Sequence, residues 1–155
     1  MNIEALLRWE RTPGEQFVDG HYHRTHRWTF DGGASWGVSS SPEIVPVPFS
    51  DPAHADPEEL FVASISSCHM LFFLSLASRR KLVVDVYADS PVAILEKDDA
   101  GRMCVRRMIL RPKVTFEHSP PEESRVIAEL HQQAHASCFL ANSVKTELTI
   151  EFDTQ

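Results

Sequence analysis

The chain has 155 residues, of which 43% are hydrophobic and 24% charged, ordinary values for one globular domain with a hydrophobic core. Its formal net charge of −7 disfavours nucleic acid or an anionic membrane as a partner, because both attract basic surfaces. The acidic N-terminus predicts no signal peptide, and the apolar stretch around residues 64–77 is too short to span a bilayer. Three cysteines without a secretory signal favour a reducing, cytoplasmic location.

The N-terminal third predicts strands followed by a loop. Residues 17–28 and 29–40 alternate aromatic and polar side chains, and Asp31-Gly32-Gly33 is a strong hairpin signal. The loop occupies residues 42–57, within SPEIVPVPFSDPAHADP, because so many prolines exclude a helix or a central strand.

A long helix is predicted from residue 57 to about residue 80. Asp56 suits the N-cap and Pro57 the first helical position. Glu58 and Glu59 match the positive end of the helix dipole, and the basic residues 79–81 match its negative end. Because the helix is apolar on nearly every side, we expect it to be the buried central helix.

The second half predicts a strand over residues 82–97, the turn DDAG, and a returning strand over residues 102–118 in which Pro112 marks a bulge or an edge. A second helix begins near residue 120, and residues 145–152 form a last strand. The order strands, helix, strands, helix, strand predicts an α+β fold with an antiparallel sheet packed on helices.

Cys68 lies inside the apolar run SISSCHMLFF, and two interpretations of it stay open. It shares one helical stripe with Phe61, Ile65 and Phe72. Such a cysteine is either a small buried side chain or a reactive thiolate, which would need a cation from elsewhere in the fold. Cys138 follows the second helix among small and apolar residues, and Cys104 is interpreted as a packing residue on a strand.

Two motifs resemble one known family. DPEELFVASISSC is similar to the N-P-E-x-L-x(7)-C signature of the OsmC/Ohr family of thiol-dependent peroxidases, and AHASCFLANSVKTELTIEF is similar to its second-cysteine motif and final strand. The order of elements between the motifs matches as well, so the resemblance covers roughly residues 15–152. It implies an OsmC-like fold in which antiparallel sheets wrap central helices in an intertwined homodimer.

The resemblance also implies roles for individual residues. Cys68 corresponds to the peroxidatic cysteine, Cys138 to the resolving cysteine and Glu58 to the family's glutamate. Arg24 is the best match to the family's arginine, with Arg27 as an alternative. Ten helical residues separate Glu58 from Cys68 by about 15 Å, so either the helix bends or the two serve a site shared between subunits, which we favour.

The implied activity is reduction of organic hydroperoxides without a cofactor. Cys68 would become a sulfenic acid, and Cys138 would condense with it into a disulfide. An external dithiol, with lipoyl-type dithiols among the candidates, would reduce that disulfide. An apolar lining of Phe61, Ile65, Phe72 and Phe139 would suit an organic substrate better than hydrogen peroxide.

Two other interpretations are weighed against this one. His69, His131 and His135 with the cysteines have the right ligand types for zinc. However, Cys68 and His69 point about 100° apart on a helix, which argues against one shared ion, and no metal is expected. The alternative function is a non-enzymatic dimer of the same fold that binds a hydrophobic ligand or senses redox state.

Overall fold

A computed structural model describes residues 1–152, and the chain divides into two compact units, Met1–Leu60 and Phe61–Gln155. The elements observed are β-strands and two long helices, so the predicted α+β class is confirmed. The single domain expected over residues 1–155 stays a prediction. Each unit is described by itself.

The first unit contains a three-stranded antiparallel sheet in the order β1 (Ala5–Arg8), β2 (His26–Phe30) and β3 (Ser35–Val38). The hairpin predicted at Asp31-Gly32-Gly33 joins β2 to β3. Gly33 closes it with a φ of +84°, a left-handed conformation that favours glycine, and its N–H donates to Phe30 O at 2.9 Å. Strand β1 has no counterpart among the predicted elements.

The predicted strand over residues 17–28 is wrong before His26. Phe17–Asp19 forms a single 3-10 turn, and the chain reaches β2 through irregular backbone. The aromatic residues of this segment pack on each other, with ring centroids 4.6 Å apart for Phe17 and Tyr22 and 5.8 Å apart for Trp9 and Phe17. This local aromatic cluster explains the alternating pattern without a strand.

The proline-rich segment is a loop, as predicted, and hydrogen bonds hold it against the strands of its own unit. The N–H of Ser39 donates to Ala55 O at 3.1 Å, and the N–H of Asp51 donates to the Ser39 hydroxyl at 3.0 Å. The N–H of Arg24 donates to Phe49 O at 2.8 Å, so the loop also contacts the residues that lead into β2.

Helix α1 spans Pro57–Arg79, close to the predicted range. Asp56 and Glu59 form a capping box: the Glu59 N–H donates to the Asp56 carboxylate at 2.7 Å, and the Asp56 N–H donates to the Glu59 carboxylate at 3.1 Å. The whole helix is longer than the apolar stretch of residues 64–77, which is itself too short to span a bilayer. By length and composition alone, Pro57–Arg79 could cross a membrane. The core helices of soluble proteins pass the same test.

The second unit holds strands β4 (Val84–Ala88), β5 (Val92–Lys97), β6 (Met103–Leu110), β7 (Lys113–Phe116) and β8 (Glu147–Ile150), and helix α2 (Glu123–Ser137). β4 pairs with β7, and β5, β6 and β8 form a second sheet in that order. The two long strands predicted here are therefore each divided into two. Pro112 accounts for one break, since it has no N–H to continue a ladder.

One strand pairing departs from the expected antiparallel sheet, since β8 runs parallel to β6. Two groups of buried side chains complete the unit. The first joins α1 to β7 and α2 and comprises Phe73, Ala77, Phe116, Ile127, Leu130 and Ala134. The second joins α1 to β6 and comprises Ile65, Met108 and Leu110. The second unit thus packs α1 against both of its sheets and against α2.

Candidate active site

Two cysteines far apart in the sequence meet in the second unit. Cys68 is half-buried on α1, and Cys138 is fully buried at the C-terminal end of α2, where its N–H donates to His135 O at 3.3 Å. The Cys68 thiol lies close enough to Cys138 to raise the pKa of the Cys138 thiol, and both thiols are free. The structure therefore brings together the two sulfurs that the family resemblance paired.

The surroundings of Cys138 keep it protonated at neutral pH. Burial, and next the Cys68 thiol, raise the pKa of Cys138 to about 11. The backbone N–H of Ala141, 3.4 Å from the sulfur, and that of Leu140 act in the opposite direction but do not cancel the rise. Cys68 is the more accessible of the two cysteines, and Cys138 is held as a neutral thiol.

The four residues expected to line an apolar pocket fall into two places. Phe72 and Phe139, which follow the cysteines by four residues and one residue, pack edge to face with ring centroids 5.1 Å apart. Phe139 remains 71% exposed. Ile65 is only 1% exposed and packs with Phe61 in the core beneath the β5–β6–β8 sheet. The lining role of all four stays a prediction.

A buried pair of histidines, which the sequence did not predict to be paired, lies on α1 and α2. His69 Nε2 and His131 Nδ1 are 3.0 Å apart, one donating and the other accepting, and both side chains are at most 1% exposed. Their rings are nearly parallel, with centroids 5.3 Å apart, and the His131 ring also packs on Phe73 and Phe152.

Burial makes both imidazoles neutral. It is the largest influence that lowers the pKa of His69 to about 4 and that of His131 to about 3. His135 lowers the pKa of His69 further and Asp89 raises it, while His69 lowers the pKa of His131. Within residues 1–152, His69 Nδ1 and His131 Nε2 have no hydrogen-bond partner.

The zinc interpretation finds no support in this arrangement. Among the side chains of residues 1–152, no group of three histidines, cysteines or carboxylates is arranged to hold a metal ion. His69 and His131 bind each other instead of sharing an ion with Cys68.

Asp89, another residue that the sequence did not single out, ties α1 to the strands. Its carboxylate accepts a short hydrogen bond from the Ser66 hydroxyl, and it accepts the Arg111 N–H at 2.6 Å. Burial and Asp89 together raise the pKa of Tyr87, whose hydroxyl is buried near His131. Ser66 stands two residues before Cys68, but a serine on an apolar helix does not by itself indicate this contact.

The remaining predicted site residues belong to the first unit. Arg24 donates from Nη1 to Gly20 O at 3.0 Å and to Tyr22 O, and its guanidinium carbon lies 3.6 Å from the centroid of the Tyr22 ring. Arg27 is on β2 and donates to the Ser35 hydroxyl at 3.2 Å. Glu58 lies half-buried in the first turn of α1. Their roles stay predictions.

Sequence comparison places the chain in a family. A family model for OsmC-like proteins matches residues 50–153, which include both cysteine motifs. The chain belongs to the OsmC-like protein family. No curated protein matches the chain significantly.

Solved structures agree with this OsmC-like assignment. An OsmC-like protein of unknown function from Vibrio cholerae is 43% identical, with a TM-score of 0.95 and 99% of each chain covered. An organic hydroperoxide resistance protein from Legionella pneumophila is 13% identical, with a TM-score of 0.69 and coverage of 99% of this chain and 98% of that one. One from Bacillus subtilis is 17% identical, with a TM-score of 0.63 and the same coverage. At such identities the last two share the fold alone.

Proposed function

We propose that this OsmC-like protein is a cysteine-based peroxidase that reduces organic hydroperoxides to alcohols. The observation that carries the proposal is the contact between two free thiols, one half-buried on α1 and one fully buried at the end of α2. The family assignment is consistent with it, and two structural neighbours are named organic hydroperoxide resistance proteins.

The proposed cycle has three steps. The Cys68 thiolate attacks the terminal oxygen of the hydroperoxide, the O–O bond breaks, and the alcohol leaves after taking a proton. The Cys138 sulfur then attacks the sulfenic acid, forming the S–S bond while the S–O bond breaks and water leaves with the thiol proton. An external dithiol reduces the disulfide through two exchanges and is itself oxidised, so no cofactor is needed.

The accessibility of the two sulfurs supports this assignment of roles. Cys68 is the more exposed, so a hydroperoxide reaches it first. Cys138 is fully buried and protonated, so it is a poor first nucleophile but is in place to react once Cys68 is oxidised. A disulfide formed at once also protects Cys68 from further oxidation.

Arg24 is proposed to favour the Cys68 thiolate, with Glu58 orienting its guanidinium and Arg27 as the alternative cation.

The organic part of the substrate is proposed to bind against four apolar side chains, Phe61, Ile65, Phe72 and Phe139. Because three cysteines cannot all pair within one chain, we also propose a reducing, cytoplasmic location for the protein.

The chain is proposed to act as a homodimer. In the single chain only 28% of the most apolar window of α1 is buried, although apolar helices of soluble proteins are normally covered. Large hydrophobic side chains are also exposed elsewhere, among them Leu6, Leu7, Trp36, Leu71, Val86, Leu95, Met103 and Phe139. We expect sedimentation equilibrium at micromolar concentration to give twice the 17.5 kDa chain mass. A stable monomer would contradict this proposal.

The proposed chemistry is tested by counting free thiols. In a Cys104→Ser background, one equivalent of cumene hydroperoxide should remove both remaining thiols of the reduced protein. With Cys138→Ser added, the single remaining thiol should instead become a sulfenic acid that dimedone labels. Alkylation followed by mass spectrometry measures both results. If the Cys68 thiol survives the peroxide, the protein is not a peroxidase.

The alternative function is a hydrophobic-ligand binder or redox sensor of the same fold. The exposed Phe139 beside the cysteines is the observation that favours it. Such a protein would show no catalytic consumption of hydroperoxide with any dithiol, lipoyl-type dithiols included. A sensor would still form the disulfide once per chain, whereas a binder would not.

A further inference from the structure

The buried histidine pair is placed to control the geometry of the cysteine pair. His69 directly follows Cys68 on α1, and His131 lies seven residues before Cys138 on α2. The same two helices therefore make two polar contacts with each other, the bond between His69 and His131 and the contact between Cys68 and Cys138. Any shift of one helix along the other would change both contacts together.

We propose that the His69–His131 hydrogen bond fixes the axial register of α1 against α2 and so holds the Cys68 and Cys138 sulfurs at disulfide-forming distance. His69 and His131 are then positioning residues for the thiol pair. The proposal goes beyond the proposed function and rests on it only in that disulfide formation is one of its steps.

The other contacts between these helices fix the register weakly. Most are made by apolar side chains, including Phe73, Leu130 and Ala134, which pack without directional bonds. The ion pair of Arg80 with Glu129, 3.0 Å long, lies partly exposed just past the end of α1, where such pairs contribute little. A shift of one residue moves a helix by about 1.5 Å and turns it by about 100°, whereas an S–S bond needs the sulfurs about 2 Å apart. A hydrogen bond between two buried rings has a defined length and direction, and it excludes such shifts.

Burying two histidines here costs more free energy than burying hydrocarbon side chains would, and this cost argues for a specific role of the pair. Within the described part of the chain, one nitrogen of each ring is buried without a hydrogen-bond partner. Leaving a buried polar group unpaired costs free energy that a hydrocarbon side chain of similar size avoids. Buried polar pairs of this kind are best attested where they specify register, as in coiled coils.

Within residues 1–152, no other group forms a hydrogen bond with either ring of the pair. His69 faces His131 and His135 on α2 and lies in the field of Asp89, which already accepts hydrogen bonds from Ser66 and Arg111. The ring of His131 is enclosed by Phe73, Tyr87 and Phe152. The neutral His69–His131 bond is therefore a buried hydrogen bond that links α1 to α2.

The test measures the Cys68–Cys138 disulfide directly and needs no peroxide. Full-length protein in a Cys104→Ser background is equilibrated with reduced and oxidised dithiothreitol, and the disulfide fraction is read by alkylation and mass spectrometry. His69→Leu/His131→Phe removes the bond and replaces both rings with hydrocarbon side chains, while His69→Gln keeps an amide that can bond to His131. Leu130→Val is the matched control, because it alters the packing of the same interface without touching a polar group.

We expect the double variant to lower the equilibrium constant for disulfide formation by about 10-fold to 100-fold, since the effective concentration of one thiol for the other falls when the sulfurs are no longer held together. The equilibrium constants of His69→Gln and Leu130→Val should stay within about three-fold of the parent's, because each change should move the sulfurs by less than about 1 Å. His131→Asn against His131→Phe gives a second comparison if the double variant does not fold.

Either of two variant results would overturn the register proposal: an equilibrium constant of the double variant within three-fold of the parent's, or one of His69→Gln that falls as far as that of the double variant. A parent that forms no Cys68–Cys138 disulfide at any dithiothreitol ratio would overturn it as well, since the sulfurs would then not be in register. A parent that forms the disulfide with dithiothreitol but whose Cys68 is not oxidised by hydroperoxide refutes the proposed function and leaves the register proposal standing.

Discussion

Cys68→Ser is expected to abolish turnover of cumene hydroperoxide in the presence of a dithiol, lowering kcat/KM by about 10³-fold or more, as removal of a catalytic nucleophile generally does. The serine hydroxyl is similar in size but is not ionised at neutral pH and does not form a sulfenic acid. Since Cys68 is half-buried rather than enclosed, the change should leave the fold intact.

Two matched variants separate loss of the nucleophile from loss of a cysteine in general. Cys104→Ser changes a half-buried cysteine on β6, opposite Glu96, and should leave kcat/KM within about two-fold. Cys138→Ser should consume one equivalent of hydroperoxide and then stall as the sulfenic acid, because the resolving thiol is gone. Peroxide consumption is followed by a ferrous-oxidation assay with a lipoyl-type dithiol as reductant. Substantial turnover by Cys68→Ser would contradict the proposed mechanism.

The sequence predicted well the features that depend on neighbouring residues. The bounds of α1 follow from Asp56 and Pro57 at one end and from the basic residues 79–81 at the other, all within a turn of the helix terminus. The hairpin at Gly33 follows in the same way from a residue suited to positive φ. Such signals act over a few residues, so they are visible without knowledge of the tertiary structure.

Strand pairing was less predictable because it depends on distant partners. Residues 82–97 look like one strand, yet β4 pairs with β7 and β5 with β6, in different sheets. The parallel pairing of β8 with β6 joins segments about forty residues apart, and no local pattern specifies it. The apolar alternation fixed which residues face a core but not which sheet they join.

The candidate site shows the same limit. The two cysteine motifs could be recognised from the sequence, and the structure brings their sulfurs together. His69 and His131 were noticed as metal-ligand types, but their bond joins residues 62 positions apart. Their burial, which turns two titratable side chains into a neutral pair, is a property of helix packing that composition does not reveal.

The protein is expected to lose stability as the pH falls below about 6.5, the ordinary pKa of a histidine in an unfolded chain. In the folded state the pKa of His69 is lowered to about 4 and that of His131 to about 3, mainly by burial. Between these values the unfolded chain binds more protons than the folded one, so the free energy of unfolding decreases as the pH falls. This contribution is fully present above about pH 6.5 and is lost progressively towards pH 4 for His69 and towards pH 3 for His131.

Urea unfolding at pH 7.5 and pH 5.0 measures the effect, since few carboxylates titrate in that window. We expect the free energy of unfolding to fall by on the order of 3 kcal/mol between the two pH values. His69→Leu/His131→Phe should remove most of this difference, because neither replacement binds a proton. His118→Gln, a change to an exposed histidine, should leave the difference as it is in the parent. If the double variant is as acid-sensitive as the parent, the histidine pair is not the group whose protonation destabilises the fold.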